Sequence, residues 1–249
     1  MKALKSWVKT TLLRRGILVS RPPGRFNAQE YKLQQIKARG LRFRSAVDAG
    51  AADGMWARSF KAVYPAARLL CVEPRADTQA ALQEFAAGWP DVEIAQALLA
   101  SGRTAVGFHL HGDQSSMLAN SQGQPFGRWV TLETRPLDEL VKERALEWPD
   151  YLKLDLQGAE LEALEGGRGC LEHAEAVQLE LSFLHFQRGQ PLAADVFAFM
   201  AQHGFCCYDI FSLWPRPLDG ALAQGDFLFL RANNPLRQDC RWSKQSAFS

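Results

Sequence analysis

The run Ser45-Ala46-Val47-Asp48-Ala49-Gly50-Ala51-Ala52-Asp53-Gly54 reads as a short buried strand entering a tight glycine turn. A helix-like segment, Met55 to Val63, follows it. A second strand-like run, Arg68-Leu69-Leu70-Cys71-Val72, then ends on an acid, Glu73. Strand, glycine turn, helix, strand and acid is the order in which an open α/β sheet holds a nucleoside-bearing cofactor at its carboxyl edge. The glycines let backbone approach a ligand where a Cβ would clash. A carboxylate at position 73 can accept both hydroxyls of a ribose, and Pro74 fixes the turn leaving it. A solvated, helix-capping acid is the plainer reading of Glu73.

The spacing separates cofactors. A dinucleotide fold wants G-x-G-x-x-G after its first strand, whereas Gly50 and Gly54 stand as G-x-x-x-G with Asp48 ahead of them. That form is typical of S-adenosylmethionine (SAM) sites. SAM has no phosphate, so the turn need not form an anion nest. Its ammonium group suits a nearby carboxylate. A nicotinamide-dependent oxidoreductase would need the missing second glycine.

Outward from this unit, 249 residues with 47% apolar and 22% charged content fit one α/β domain with extensions. No uncharged apolar run approaches the roughly 18–20 residues of a membrane span. The basic N-terminus lacks a continuous apolar core and a cleavage site, so no signal peptide is expected. Five cysteines without C-x-x-C spacing predict a reduced, cytoplasmic protein and no metal framework. Residues 1–44 carry 12 Lys/Arg and one acid, whereas residues 45–249 carry 17 Lys/Arg and 26 acids. The arm and the acidic body can attract each other, or the arm can meet a membrane or polyanion. No organised nucleic-acid motif is present.

Residues 2–15 fit an amphipathic helix with Leu4, Trp7, Val8 and Leu12 on one stripe and Lys2, Lys5 and Lys9 opposite. It suits a peripheral membrane contact or packing on a partner subunit or its own domain, so an oligomer is an open alternative. Pro22-Pro23-Gly24 reads as a linker, and Asn27 as the cap of a second helix through Gln35 to Arg39. The predicted organisation is a basic helical extension over 1–40, a catalytic domain over 41–235 and a tail over 236–249. Within the domain, helices are expected over 77–87, 136–144 and 191–203, with a further helix from about Glu160. Strands are expected over 92–95, 104–110, 129–133, 150–156, 176–183, 205–211 and 227–230. Residues 112–127, rich in Gly, Ser, Asn and Gln, read as a loop. His109 and His111 lie two apart on a strand and read as surface histidines more readily than as a metal pair.

A second chemical segment is Leu152-Lys153-Leu154-Asp155-Leu156-Gln157-Gly158-Ala159-Glu160. Lys153 and Asp155 alternate with apolar residues on a strand that should be buried, so they share one face near its carboxyl end. A buried Lys and Asp need partners, which a ligand cleft or a structural ion pair supplies.

Together these segments resemble the FkbM family of SAM-dependent methyltransferases. Asp48 to Gly54 match its Asp-x-Gly-Ala-x-x-Gly turn and Glu73-Pro74 its second strand end. Lys153, Asp155, Gly158 and Glu160 match its Lys-x-Asp-x-x-Gly-x-Glu segment. Glu180-Leu181-Ser182, Gly189-Gln190-Pro191 and Asp226-Phe227-Leu228-Phe229 also match, so the resemblance spans about Val47 to Arg231. Ala52 stands where Asn is common, and Gln157 where an acid is common.

The resemblance implies a class-I methyltransferase fold: a mostly parallel seven-stranded sheet with helices on both faces and an antiparallel strand at its edge. It implies SAM as cofactor, held by Asp48, Ala49, Gly50, Ala51, Gly54, Glu73, Pro74 and Asp155. Gln96 and Ala97 occupy the usual adenine-contact position, although a plain loop fits them equally. Ser115-Ser116-Met117 matches a stretch that borders the acceptor. The implied reaction is in-line O-methylation of a sugar or other small hydroxylated metabolite. Asp155, with Lys153, is the first candidate to position the reacting groups. Glu180 and His185 are candidates for the base, although a His between Leu184 and Phe186 also suits plain packing. An N- or protein methyltransferase and a non-catalytic SAM- or partner-binding module remain alternatives.

Overall fold

The structure is a computed structural model that describes residues 28–124 and 127–241. The expected helix over 2–15, the Pro22–Gly24 linker and the Asn27 cap lie outside the described residues.

Seven strands form one sheet in the order β3-β2-β1-β7-β8-β10-β9: β1 (Ser45–Ala49), β2 (Arg68–Val72), β3 (Val92–Ala95), β7 (Tyr151–Leu154), β8 (Ala176–Ser182), β9 (Phe205–Pro215) and β10 (Leu222–Arg231). All run parallel except β10, which is antiparallel to both β8 and β9. The antiparallel strand thus stands one place in from the edge that the sequence suggested. The two late strands are also longer than expected, because cross-strand pairing carries β9 out to Pro215 and starts β10 at Leu222. Strand β7 is shorter than its apolar alternation predicts: Asp155 and Leu156 have already left the ladder for the turn.

Helices cover both faces. On one side lie α1 (Ala28–Ala38), α2 (Met55–Val63) and α3 (Gln79–Ala87); on the other lie α4 (Leu137–Glu143), α5 (Glu160–Glu165), α6 (Arg168–His173) and α7 (Ala193–Gln202). In α2 the large side chains Trp56, Phe60 and Val63 recur at helical spacing and are all buried, which pins that helix to the sheet. Leu33 and Ile36 of α1 are fully buried in the same cluster as Tyr151 and Leu228, so α1 is integral to this core. A short α8 (Pro235–Gln238) follows the last strand.

A separate three-stranded sheet, β4 (Leu98–Leu99), β6 (Arg128–Arg135) and β5 (Ala105–Leu110), hangs from the end of β3. Sequence alternation marked β5 and β6 singly but not their pairing. His109 on β5 is buried and its ring meets Trp129 edge-on, correcting the surface reading, whereas His111 is exposed.

The sheet order reverses between β1 and β7. Loops leaving those strands diverge to opposite faces, which opens a crevice at their carboxyl ends. Among the described residues, no helix is long and apolar enough to cross a membrane.

Candidate active site

The glycine turn between β1 and α2 has its own internal chemistry. Gly50 and Ala51 N–H both donate to Val72 O, and Ala52 N–H donates to Glu73 Oε2 at 2.8 Å. Three consecutive amides are therefore spent on protein groups, so the turn is no anion nest. Ala52 holds φ of 49°, the left-handed region that Asn tolerates better than Ala. Relieving it by Ala52→Gly should raise stability by about 0.5–1 kcal/mol, strain relief being partly offset by unfolded-chain entropy; the midpoint of urea unfolding reads this directly.

Glu73 ends β2 and is buried. Its Oε1 accepts from Arg75 N–H at 3.0 Å and from Arg75 Nε at 3.3 Å. It is thus an interior carboxylate aimed at the turn, in contrast to a solvated cap. Arg75 is itself buried and reaches on to Asp113 at 3.4 Å. Sequence reading missed Arg75; the available signal was a cation two residues beyond Glu73, behind a proline that turns the chain. Gln96 is exposed and donates to Pro74 O at 3.3 Å, and Ala97 beside it is buried.

Register builds the centre. Asp48 on β1 lies directly beside Lys153 on β7, and Lys153 beside Gln178 on β8. Lys153 Nζ stands 3.0 Å from Asp48 Oδ1, donates to Gly50 O at 3.0 Å and lies 3.8 Å from Asp155 Oδ2. Asp48 has no exposure and meets no hydrogen-bond donor of good geometry, so the ion pair compensates its charge. Burial pushes the Asp48 carboxyl up to about 6 against the pull of Lys153. Burial also opposes the Lys153 charge, but Asp48 and Asp155 outweigh it and hold the ammonium above the usual lysine range. Lys153 is a fixed cation.

Beyond β7, Asp155 sits half-buried where the strand has ended, its N–H donating to Ala49 O. Gln157, at φ of 51°, donates through one Nε2 to Asp155 Oδ1 and to Glu180 Oε2, both at 2.9 Å. Gln224 Nε2 donates to the same Glu180 oxygen at 2.9 Å. Burial first, then Asp155, Glu160 and Asp226, raises the Glu180 carboxyl well above the usual range. A Gln at 157 supplies the donor that an acid could not. Its bridging role was invisible as a departure from a pattern. Glu160, which burial pushes up to about 7, closes the turn by accepting from Leu156 and Gly158 N–H.

A second network backs this one. Gln178 Oε1 accepts from Trp56 Nε1 and Tyr151 OH, while its Nε2 donates to Gln29 of α1, whose own amide donates to Asp226. Asp226 also accepts from Ser212 Oγ. The signal for Gln178 was there: it alternates with Glu180 and Ser182 along an apolar strand and so shares their face.

His185 is exposed in the loop after β8 and makes no hydrogen bond to the acids. Ser116 is buried, its Oγ donating to Gln157 O at 2.9 Å, and Met117 helps to line a cleft of ≈ 390 Å³. That cleft opens between Val106 and Thr134 of the small sheet, Leu118, the Gly158–Ala159 turn and Pro191. No group of three or more His, Cys, Asp or Glu residues is arranged for a metal among the described residues.

The donor set fits SAM. Asp48 at 3.0 Å and Asp155 at 3.8 Å flank the single Lys153 ammonium, an excess of negative charge that suits a ligand carrying sulfonium and ammonium groups.

The family described as "Methyltransferase FkbM domain" matches residues 48–207, more than half of the chain. The 2-O-methyltransferase NoeI of Sinorhizobium fredii (strain NBRC 101917 / NGR234) is 30% identical over 164 residues, covering 59% of this chain and 68% of that one. Among solved structures, magnesium protoporphyrin IX methyltransferase (ChlM) from Synechocystis PCC 6803 with bound SAM superposes at a TM-score of 0.46, with 11% identity over 84% of this chain and 86% of that one. An rRNA methylase from Streptococcus thermophilus superposes at 0.47, with 11% identity over 86% and 98%. By the family match and the NoeI relationship, this chain belongs to the FkbM methyltransferase family, and its cofactor is S-adenosylmethionine.

Proposed function

We propose that the chain O-methylates a hydroxyl of a sugar, glycan or other small hydroxylated metabolite. The observation that carries this reading is the Asp155–Gln157–Glu180 bridge, which holds a carboxyl of raised pKa at the mouth of the sheet. An alcohol must lose its proton as it is alkylated, and a carboxyl raised above its ordinary range accepts a proton more readily than an ordinary carboxylate does. NoeI, named as a 2-O-methyltransferase, supports the same atom class.

SAM, when bound, supplies an electrophilic methyl group. Asp48, Ala49, Gly50, Ala51 and Gly54 would hold its amino-acid end, Glu73 and Pro74 its ribose, and Gln96 and Ala97 its base. Lys153 fixes the turn by its bond to Gly50 O and keeps Asp48 ionised. Asp155 orients the reacting groups, and Glu180 accepts the acceptor's proton, with exposed His185 as the second candidate. The cleft beside Met117 adjoins this site through the Gly158–Ala159 turn and would receive the outer part of the acceptor.

The test is transfer of labelled methyl from SAM to a panel of hydroxylated sugars, amines and proteins. Glu180→Gln should lower kcat by about 10²–10⁴ while leaving SAM titration unchanged. Wild-type kcat should rise with pH as the raised Glu180 carboxyl ionises, and that rise should vanish in the variant. Label appearing on amines or proteins, with hydroxyls untouched, would overturn the reading.

A further inference from the structure

Nine large apolar side chains are exposed among the described residues, and six of them stand at one edge of the sheet. Met55, 71% exposed, opens α2 where β1 has ended, and Phe186 lies in the loop leaving β8. The other four are Leu213, Trp214, Leu218 and Leu222, on and around the β9–β10 tip. Gln224 pairs with Ser182, the last residue of β8, so everything beyond it projects past the carboxyl edge where the site lies. The tip is built. Arg216 pairs with Asp219 at 2.6 Å, Arg216 N–H donates to Ala221 O, and Gly220 N–H donates to Arg216 O. This frame holds Leu218 outward at 82% exposure, with Trp214 at 56% behind it.

The chain enters the fold from the same edge. Gln29, near the start of α1, bonds to Asp226, the strand partner of Glu180, whereas Lys32 and Arg39 farther along meet Asp209, deeper in the sheet. The start of α1 therefore lies on the catalytic side, and residues 1–27 precede it in the sequence. They contain seven Lys/Arg and no Asp or Glu, with Leu4, Trp7, Val8 and Leu12 at helical spacing.

The geometry points to an anionic lipid surface as the partner of this edge. Trp and Leu on a fixed tip suit the interfacial zone of a bilayer. A basic segment is drawn to anionic headgroups. One apolar insertion alone binds marginally, and an added polybasic segment is what makes attachment stable. A second copy of the chain suits the edge less well. β9 departs from regular register against β10 at three places, which spoils it as a template for sheet extension. The inference is independent of which acceptor the enzyme methylates.

The full chain is sedimented with vesicles of phosphatidylcholine alone and of equal parts phosphatidylcholine and phosphatidylglycerol. It should pellet with the anionic vesicles and stay in solution with the neutral ones, and added salt should weaken the binding. The double variant Trp214→Asp, Leu218→Asp should lose about tenfold or more of that binding, as should Lys2→Glu, Lys5→Glu, Lys9→Glu. Each variant is titrated with SAM, so that loss of binding is read only from folded protein. Wild-type protein that titrates SAM yet stays in solution with anionic vesicles would overturn the inference. So would variants that pellet as well as the wild type, or sedimentation equilibrium showing a dimer that Leu218→Asp dissolves.

Discussion

Lys153→Met is expected to cost about 3–5 kcal/mol of folding stability, because it strands a fully buried carboxylate without its cation. Met keeps most of the side-chain volume, so the loss reflects charge and not a cavity. The deficit should depend on pH in a stated direction. Asp48 has a folded pKa raised above its unfolded value, so the folded state binds its proton more tightly. Its contribution to stability therefore improves as pH falls through about 6 toward the unfolded range. In the variant the folded value moves higher still, and the deficit should shrink from neutral pH downward as Asp48 becomes neutral. Urea unfolding at several pH values measures this. A deficit that stays flat with pH would mean that Asp48 does not carry the effect. A double variant, Lys153→Met with Asp48→Asn, should recover part of the loss.

Gly50→Ala is expected to cost about 2–5 kcal/mol, left-handed strain and overlap combined. Gly50 holds φ of 74°, and a Cβ there would stand 1.9 Å from Asp155 O, a backbone atom that cannot swing away. Gly54, in the same motif, has φ of 84° but would meet side-chain atoms alone, the tip of Leu82 at 3.2 Å and the Phe85 ring at 3.6 Å, an ordinary contact. Gly54→Ala should therefore cost about 1–2 kcal/mol, strain alone. Comparing the two unfolding midpoints separates close approach from backbone freedom; equal losses would contradict this account.

These two glycines show what the sequence could and could not reveal. Their spacing after an apolar run, with Asp48 ahead and Glu73 behind, was enough to place a glycine turn at the carboxyl edge of a parallel sheet. Polar residues alternating along apolar strands were likewise enough to single out Lys153 and Asp155. The partners were another matter. That Lys153 meets Asp48 follows from register between two distant strands, which local periodicity does not encode. That Gln157 joins Asp155 to Glu180 depends on a left-handed turn residue. Arg75 drew no reading from the sequence, because only the Pro74 turn folds it back on Glu73. The small sheet stayed hidden because its strands pair across a long polar loop, and the burial of His109 went with it.

The two halves of the crevice come from segments far apart in the chain: Lys153 and Gly50 are 103 residues apart. Local pairing can bring β1, β2 and β3 together early, but the β1–β7 ladder must wait for a long loop to close. No partly folded intermediate that lacks this ladder can contain the Asp48–Lys153 pair or the Gly50–Asp155 contact. Cofactor affinity should therefore be a property of the completed sheet alone. SAM would then act as a folding ligand, drawing the population toward the completed state by the logarithm of its concentration over its dissociation constant.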